Sequence, residues 1–183
     1  NINSQQASIQ QEIGKNHDMI QRLRTNRSYY ERSERELARQ SASLESMISR
    51  RVVGYRGGKS KVHASGGFTR PIGGMITSPF GWRVHPIFHS RTFHSGVDIA
   101  GPYNSSVHAS NSGRVIYTGW YGGYGKVVIL DHGIVNGRPI TTLYAHLNAT
   151  RVSQGEYVSS GQTVGREGTT GYSTGPHVHF EVR

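Results

Sequence analysis

Glycine and proline, the two residues that most constrain regular structure, are spread very unevenly along this chain. All 6 prolines lie at or beyond Pro71, and of the 24 glycines only Gly14 precedes Gly54. A long helix therefore fits only the start of the chain, and the remainder must be rich in turns. Residues 1–51 are polar. Written as heptads, their a positions are Ile2, Ile9, Asn16, Leu23, Tyr30, Leu37, Leu44 and Arg51. The d positions are Gln6, Ile13, Ile20, Arg27, Glu34, Ser41 and Ile48, and nine of the fifteen seam positions are apolar. That supports a helical, coiled-coil-like segment with a narrow apolar stripe. Arg27, Glu34 and Ser41 weaken the d row. Two uses of the stripe stay open: pairing with a helical protein partner, or packing on another part of the same chain.

Residues 52–74 contain Gly54, Gly57, Gly58, Gly66, Gly67, Gly73 and Gly74 with Arg56, Lys59 and Lys61 among them, which reads as a flexible basic linker. From Met75 onward, short apolar segments alternate with Gly, Pro, Asn and Ser. Strands are expected at 75–78, 97–100, 107–109, 113–118, 126–131, 140–146, 157–159 and 177–182. No stretch there has a helical period. The expected fold is mainly β, an antiparallel sandwich or barrel-like domain over 75–183 preceded by the helical segment. Gly122-Gly123-Tyr124-Gly125 reads as a tight connection.

Composition narrows the chemistry. There is no cysteine, so disulfides and thiolate metal sites are excluded, and His, Asp and Glu remain as ligands. The net charge is +10, with 13 Lys/Arg against 6 Asp/Glu in residues 1–70. An anionic partner such as a cell envelope, a lipid surface or nucleic acid suits that balance. No nucleic-acid-binding motif is present, and no nucleic-acid partner is expected. No apolar run approaches the ~20 residues of a membrane span. The chain does not begin with Met, which leaves room for an upstream signal or anchor.

The residues that bear chemistry lie in three distant segments. In His177-Val178-His179-Phe180-Glu181-Val182 strand alternation puts Val178, Phe180 and Val182 on a core face, and His177, His179 and Glu181 on the other. Alone, an H-x-H is as easily two surface histidines. His94 and Asp98 flank Gly96 on a turn entering a strand, where their even separation keeps them on one side. His146 ends Thr142-Leu143-Tyr144-Ala145, on the side of Thr142 and Tyr144 opposite Leu143 and Ala145. A carboxylate and several imidazoles from separate segments are what a catalytic zinc site with helper bases needs. His17, His63, His85, His89, His108 and His132 are read as non-ligands, with His85 and His89 as rim residues.

Several ordered motifs carry a resemblance over residues 75–183. They are Ser78-Pro79-Phe80-Gly81-Trp82-Arg83, His94-Ser95-Gly96-Val97-Asp98, Tyr144-Ala145-His146-Leu147, Gly161-Gln162-Thr163-Val164-Gly165 and Thr170-Gly171-Tyr172-Ser173-Thr174-Gly175-Pro176-His177-Val178-His179-Phe180. Together they resemble the lysostaphin/LytM-type zinc endopeptidases of bacterial cell walls. The resemblance implies that His94, Asp98 and His179 ligate Zn2+ and that His146 and His177 are the catalytic pair. It implies peptidoglycan peptides as substrate and an extracytoplasmic location, in periplasm or cell wall. Loops 80–93, 118–125 and 166–175 would wall a groove lined by Tyr121, Tyr124 and Tyr172. Where the family often has a glycine, this chain has Asn104, which tolerates a left-handed turn. The alternative is a non-catalytic module of the same fold that binds or activates another wall hydrolase. A lipoyl-like carrier domain is a third reading, suggested by Val152–Gly155 and Val158–Gly161. It lacks a carrier lysine, because none follows Lys126.

Overall fold

The computed structural model describes residues 2–56, 67–84 and 91–183. Among the described residues, the α-helix α1 (Ile2–Arg56) precedes twelve strands. These are β1 (Met75–Ser78), β2 (Gly81–Val84), β3 (Arg91–His94), β4 (Val97–Ala100), β5 (Ser106–His108) and β6 (Gly113–Trp120), then β7 (Lys126–Val135), β8 (Arg138–Leu147), β9 (Ala149–Thr150), β10 (Tyr157–Val158), β11 (Thr163–Arg166) and β12 (Val178–Val182).

Seven strands form the main sheet in the order β1-β4-β12-β8-β7-β6-β10, and every pairing in it is antiparallel. A smaller sheet, β5-β11-β9, packs on one face, and β2 and β3 form a separate two-stranded ribbon. The run Val127-Val128-Ile129-Leu130 is apolar at every position because β7 is buried on both sides. Val128 and Leu130 join Val107, Val115, Tyr144, Val164 and Val178 in the core between the two sheets. Val127 and Ile129 join Ile116, Leu143 and Ala145 on the opposite face.

That opposite face is covered by α1. Leu44, Ile48 and Val52, spaced four residues apart on one side of the helix, are buried against it, with Leu37 and Met47 partly buried beside them. Burying each of the three contributes about 1.5–3 kcal/mol. The stripe thus packs on its own chain in the C-terminal half of the helix. Further towards the N-terminus, Ile13, Met19, Ile20 and Leu23 are exposed.

The helix runs beyond residue 51 to Arg56, into the stretch read as linker. Residues 57–66 of that linker, with His63, lie outside the described residues, as do 85–90 with His85 and His89. Pro71 and Ile72 are buried, and the carbonyl of Pro71 accepts the amide of His108 at 2.8 Å, so the end of the expected linker is docked on the domain. The expected strands lie within a few residues of β1, β4–β8, β10 and β12. The ribbon β2–β3 falls in a stretch read as loop, and the short strands β9 and β11 were not foreseen. Asn104 does adopt the left-handed conformation, with φ of 66°.

Candidate active site and metal centre

β4 and β12 are direct neighbours in the sheet, and their register sets Asp98 opposite His179. His94 closes β3, and the two-residue turn Ser95-Gly96 returns the chain into β4. Gly96 is required there: a Cβ would stand 2.5 Å from the Phe180 carbonyl oxygen and 2.8 Å from Glu181 Cγ. The turn can therefore lie flat on β12 and deliver His94 to the same spot as the strand pair.

Three donor atoms meet at that spot. His179 Nδ1 lies 2.8 Å from Asp98 Oδ1, His94 Nε2 lies 3.2 Å from the same oxygen, and the two ring nitrogens are 3.0 Å apart. Ligand atoms 2.0–2.2 Å from a tetrahedral zinc stand roughly 3.3 Å from one another. The triangle is thus the right size and chemistry for zinc, and no other such group occurs among the described residues. Each ring is aimed by its far nitrogen. His94 Nδ1 donates to the Pro79 carbonyl at 2.9 Å, and His179 Nε2 donates to Glu181 Oε1 at 2.9 Å. This leaves His94 Nε2 and His179 Nδ1 to face the metal position. Without metal, burial works against every charge here, yet the hydrogen bonds of His179 and His94 hold Asp98 well below the carboxylate range. Burial alone would lower His179, but its bonds to Asp98 and Glu181 outweigh it and raise the ring to about 9.

His146 and His177 stand beside this triangle, their ring centroids 4.7 Å apart. His177 Nε2 is 3.8 Å from Asp98 Oδ1. His177 Nδ1 donates to the Gly175 carbonyl at 2.8 Å and His146 Nδ1 to that of Thr170 at 2.7 Å. Both Nε2 atoms are left for chemistry. Burial, reinforced by His177 and His179, lowers His146 to about 3, so it is a neutral base across the physiological range.

Simple alternation gives His146 the wrong face. Tyr144 points into the core between the sheets, so a regular strand would send His146 the same way. Instead the β7–β8 register slips between Lys126 and Val128, and His146 has φ of 58°. The bulge and left-handed backbone turn the ring back toward His177 and His179. His177 also differs from expectation. It lies just before β12, bridged to Gly168 rather than inside the strand.

The helix crosses this centre. Glu34, Leu37, Ala38 and Ser41 of α1 line one pocket together with His94, His146 and His179. Glu34 pairs with Arg83 of β2 at 2.8 Å, and Gln40 Oε1 accepts the Gly123 amide at 2.7 Å. Arg183 Nη2 donates to Ser41 Oγ at 2.6 Å. Of the three tyrosines, Tyr124 is buried, with its ring 5.6 Å from His179 and its hydroxyl on Glu181. It backs His179 instead of offering an open surface. Tyr121 is half-buried against Tyr117 and Tyr124, whereas Tyr172 is exposed beside His177 in a neighbouring pocket that Tyr29, Tyr30 and Arg83 also line.

The helix residues over the site and the carboxylate of Glu181 were not among the expected site residues. The position of Glu181, two residues from His179 on the same face of one strand, is the signal that could have found it. The heptad pattern marks an apolar stripe with polar breaks at Glu34 and Ser41, but it does not say which surface α1 would cover.

The sequence profile of Peptidase family M23 matches residues 92–183. The DD-carboxypeptidase/endopeptidase Mpg of Neisseria meningitidis is 47% identical over 108 residues, 59% of this chain and 24% of that protein. Lysostaphin of Staphylococcus simulans is 35% identical over 104 residues, 56% of this chain and 20% of that protein. A zinc-containing peptidase from Vibrio cholerae superposes with a TM-score of 0.56 at 33% identity, covering 64% of this chain and 36% of that one. The chain thus spans about a quarter or less of the length of these curated relatives. The matched half of the sequence contains all five converging side chains, and the chain belongs to Peptidase family M23.

Proposed function

We propose that this chain is a zinc-dependent endopeptidase that hydrolyses peptide bonds in peptidoglycan stem peptides or cross-bridges, outside the cytoplasm. The observation that carries this reading is the convergence of His94, Asp98 and His179 on one point, with His146 and His177 alongside. In it His94 Nε2, Asp98 Oδ1 and His179 Nδ1 hold the metal. Zinc in such a site acts as a Lewis acid and brings the pKa of water from 15.7 toward about 7. His146 and His177 accept the proton of the attacking water, steady the developing oxyanion and return a proton to the leaving amine. Burial beside His177 and His179 lowers the pKa of His146, so its ring begins the reaction neutral. Tyr172 and Tyr121 would meet an extended peptide, with Tyr124 packed edge-on behind Tyr121.

On this reading the structure is a latent form. Residues 30–41 of α1 stand over the centre that substrate must reach, so cleavage requires that segment to move. The exposed stripe of Ile13, Ile20 and Leu23 is the surface on which a helical protein partner would pair. A second reading, a non-catalytic module that binds or activates another wall hydrolase, is favoured by the covered site but leaves the five converging side chains without a use. The test is digestion of purified peptidoglycan by the zinc-loaded chain, scored by mass spectrometry of released peptides. New peptide ends that vanish on chelation are expected. If neither the wild type nor a variant with a loosened cover produces them, the enzyme reading is wrong.

A further inference from the structure

The mechanism above makes no use of Glu181, an acid enclosed directly behind His179. It is 1% exposed, and its carboxylate is filled by donors. Oε1 accepts His179 Nε2 at 2.9 Å, Ser95 Oγ at 2.6 Å and Tyr124 OH at 3.1 Å. Oε2 accepts Arg183 Nε, and Arg183 in turn reaches Ser41 of α1. A buried carboxylate costs several kcal/mol unless it is paired and hydrogen-bonded, and here both conditions are met.

We infer that Glu181 is a positioning residue for the metal ligand His179, and that Ser95, Tyr124 and Arg183 hold it to that task. The inference rests on the proposed zinc site. A carboxylate bonded to Nε2–H fixes the ring about its long axis and keeps the proton off Nδ1, the nitrogen that faces Asp98 and His94. It also makes the imidazole a stronger donor to the metal, as acceptors behind metal-bound histidines generally do. The geometry admits no neutral replacement. In Glu181→Gln the amide NH2 must face either Arg183 or the group of His179, Ser95 and Tyr124. The Ser95 and Tyr124 hydroxyls can turn to accept, but Arg183 Nε–H and His179 Nε2–H only donate, so either orientation leaves N–H against N–H. A role confined to gluing β12 to α1 would instead be met by Arg183 alone.

The test measures zinc affinity of the full chain by competition with a chromophoric chelator, for the wild type and for Glu181→Gln. The visible spectrum of the cobalt-substituted proteins is recorded beside it. Loss of such an acceptor weakens metal binding roughly 10–100-fold, and a shift of the cobalt bands should accompany the loss. A folded Glu181→Gln chain with wild-type zinc affinity and unchanged cobalt bands would overturn the inference, even if its melting temperature fell. Should Glu181→Gln not fold, Ser95→Ala decides. It removes the shortest bond to Oε1, at 2.6 Å, while leaving the charge, and it should weaken zinc severalfold. Equal affinity there overturns the inference too. If the wild type itself fails to bind zinc, the fault lies with the proposed function and not with Glu181.

Discussion

The segment of α1 over the site is held mostly by polar contacts, and removing two of them should release the proposed peptidase activity. Glu34→Ala deletes the pair with Arg83, whose two side chains are 30% and 35% exposed. Solvent screening keeps such a pair to about 0–1 kcal/mol. Gln40→Ala leaves the buried Gly123 amide without its acceptor in the covered state only, since water satisfies it once the segment lifts. An unsatisfied buried donor costs about 1–3 kcal/mol. Together the two changes favour the open state by about 2 kcal/mol, a roughly 30-fold rise in its population at about 1.4 kcal/mol per tenfold. Neither residue belongs to the proposed zinc set or the histidine pair. The double variant should therefore release peptides from labelled peptidoglycan about 30-fold faster, until the open state dominates. Hydrogen exchange supplies the control, with faster exchange at 30–41 and unchanged protection at 44–52. If exchange at 30–41 accelerates while cleavage stays at the wild-type rate, the segment does not limit access.

The remaining predictions concern the centre itself. His94→Ala, Asp98→Ala and His179→Ala should each lower the zinc content measured by elemental analysis, and full occupancy in all three would refute the ligand set. His146→Ala and His177→Ala should retain zinc yet cleave roughly 10²–10⁴-fold more slowly; near-normal rates in both would refute the pair. For the metal-free chain, His146 is lowered to about 3, so the unfolded chain binds a proton that the folded one refuses, and stability falls as pH drops below 6.5. His179 is raised to about 9, so its contribution is complete below 6.5 and is lost as pH rises toward 9. Denaturant midpoints without zinc should peak near pH 6.5, and a steady rise up to pH 9 would contradict these environments.

Much of this architecture is legible in the sequence because it rests on local pattern. Alternation in Val178-His179-Phe180-Glu181 assigns both faces of β12 correctly, and the continuous run 127–130 marks a strand. Gly96 separates His94 from Asp98 at a spacing that a turn and a strand satisfy together. What could not be read is non-local. His146 reaches the site through a bulge against β7, and no feature of Tyr144-Ala145-His146 announces a left-handed histidine. The ribbon β2–β3 leaves Trp82, Val84 and Phe93 exposed, so it lacks the buried apolar face that identifies a strand. The weak d row carried more information than a defect in a coiled coil. Glu34 and Ser41 are polar because they face Arg83 and Arg183 across the groove.

That division of the seam also determines how the helix can open. If all of α1 left, Ile116, Val127, Ile129, Leu143 and Ala145 would be stripped of Leu44, Ile48 and Val52, which together contribute on the order of 5–9 kcal/mol. The segment 30–41 has Leu37 as its one half-buried apolar contact with that core, and its polar contacts are worth about 1 kcal/mol each. Local opening follows the cheaper route. Release should therefore begin at the N-terminal side and stop near Ser41, where Arg183 joins the helix to the end of β12. A partner that grips the exposed stripe at Ile13, Ile20 and Leu23 would pull on the weak part first. It could uncover the histidines while the anchored turns from Leu44 to Val52 keep the apolar face of the sheet dry.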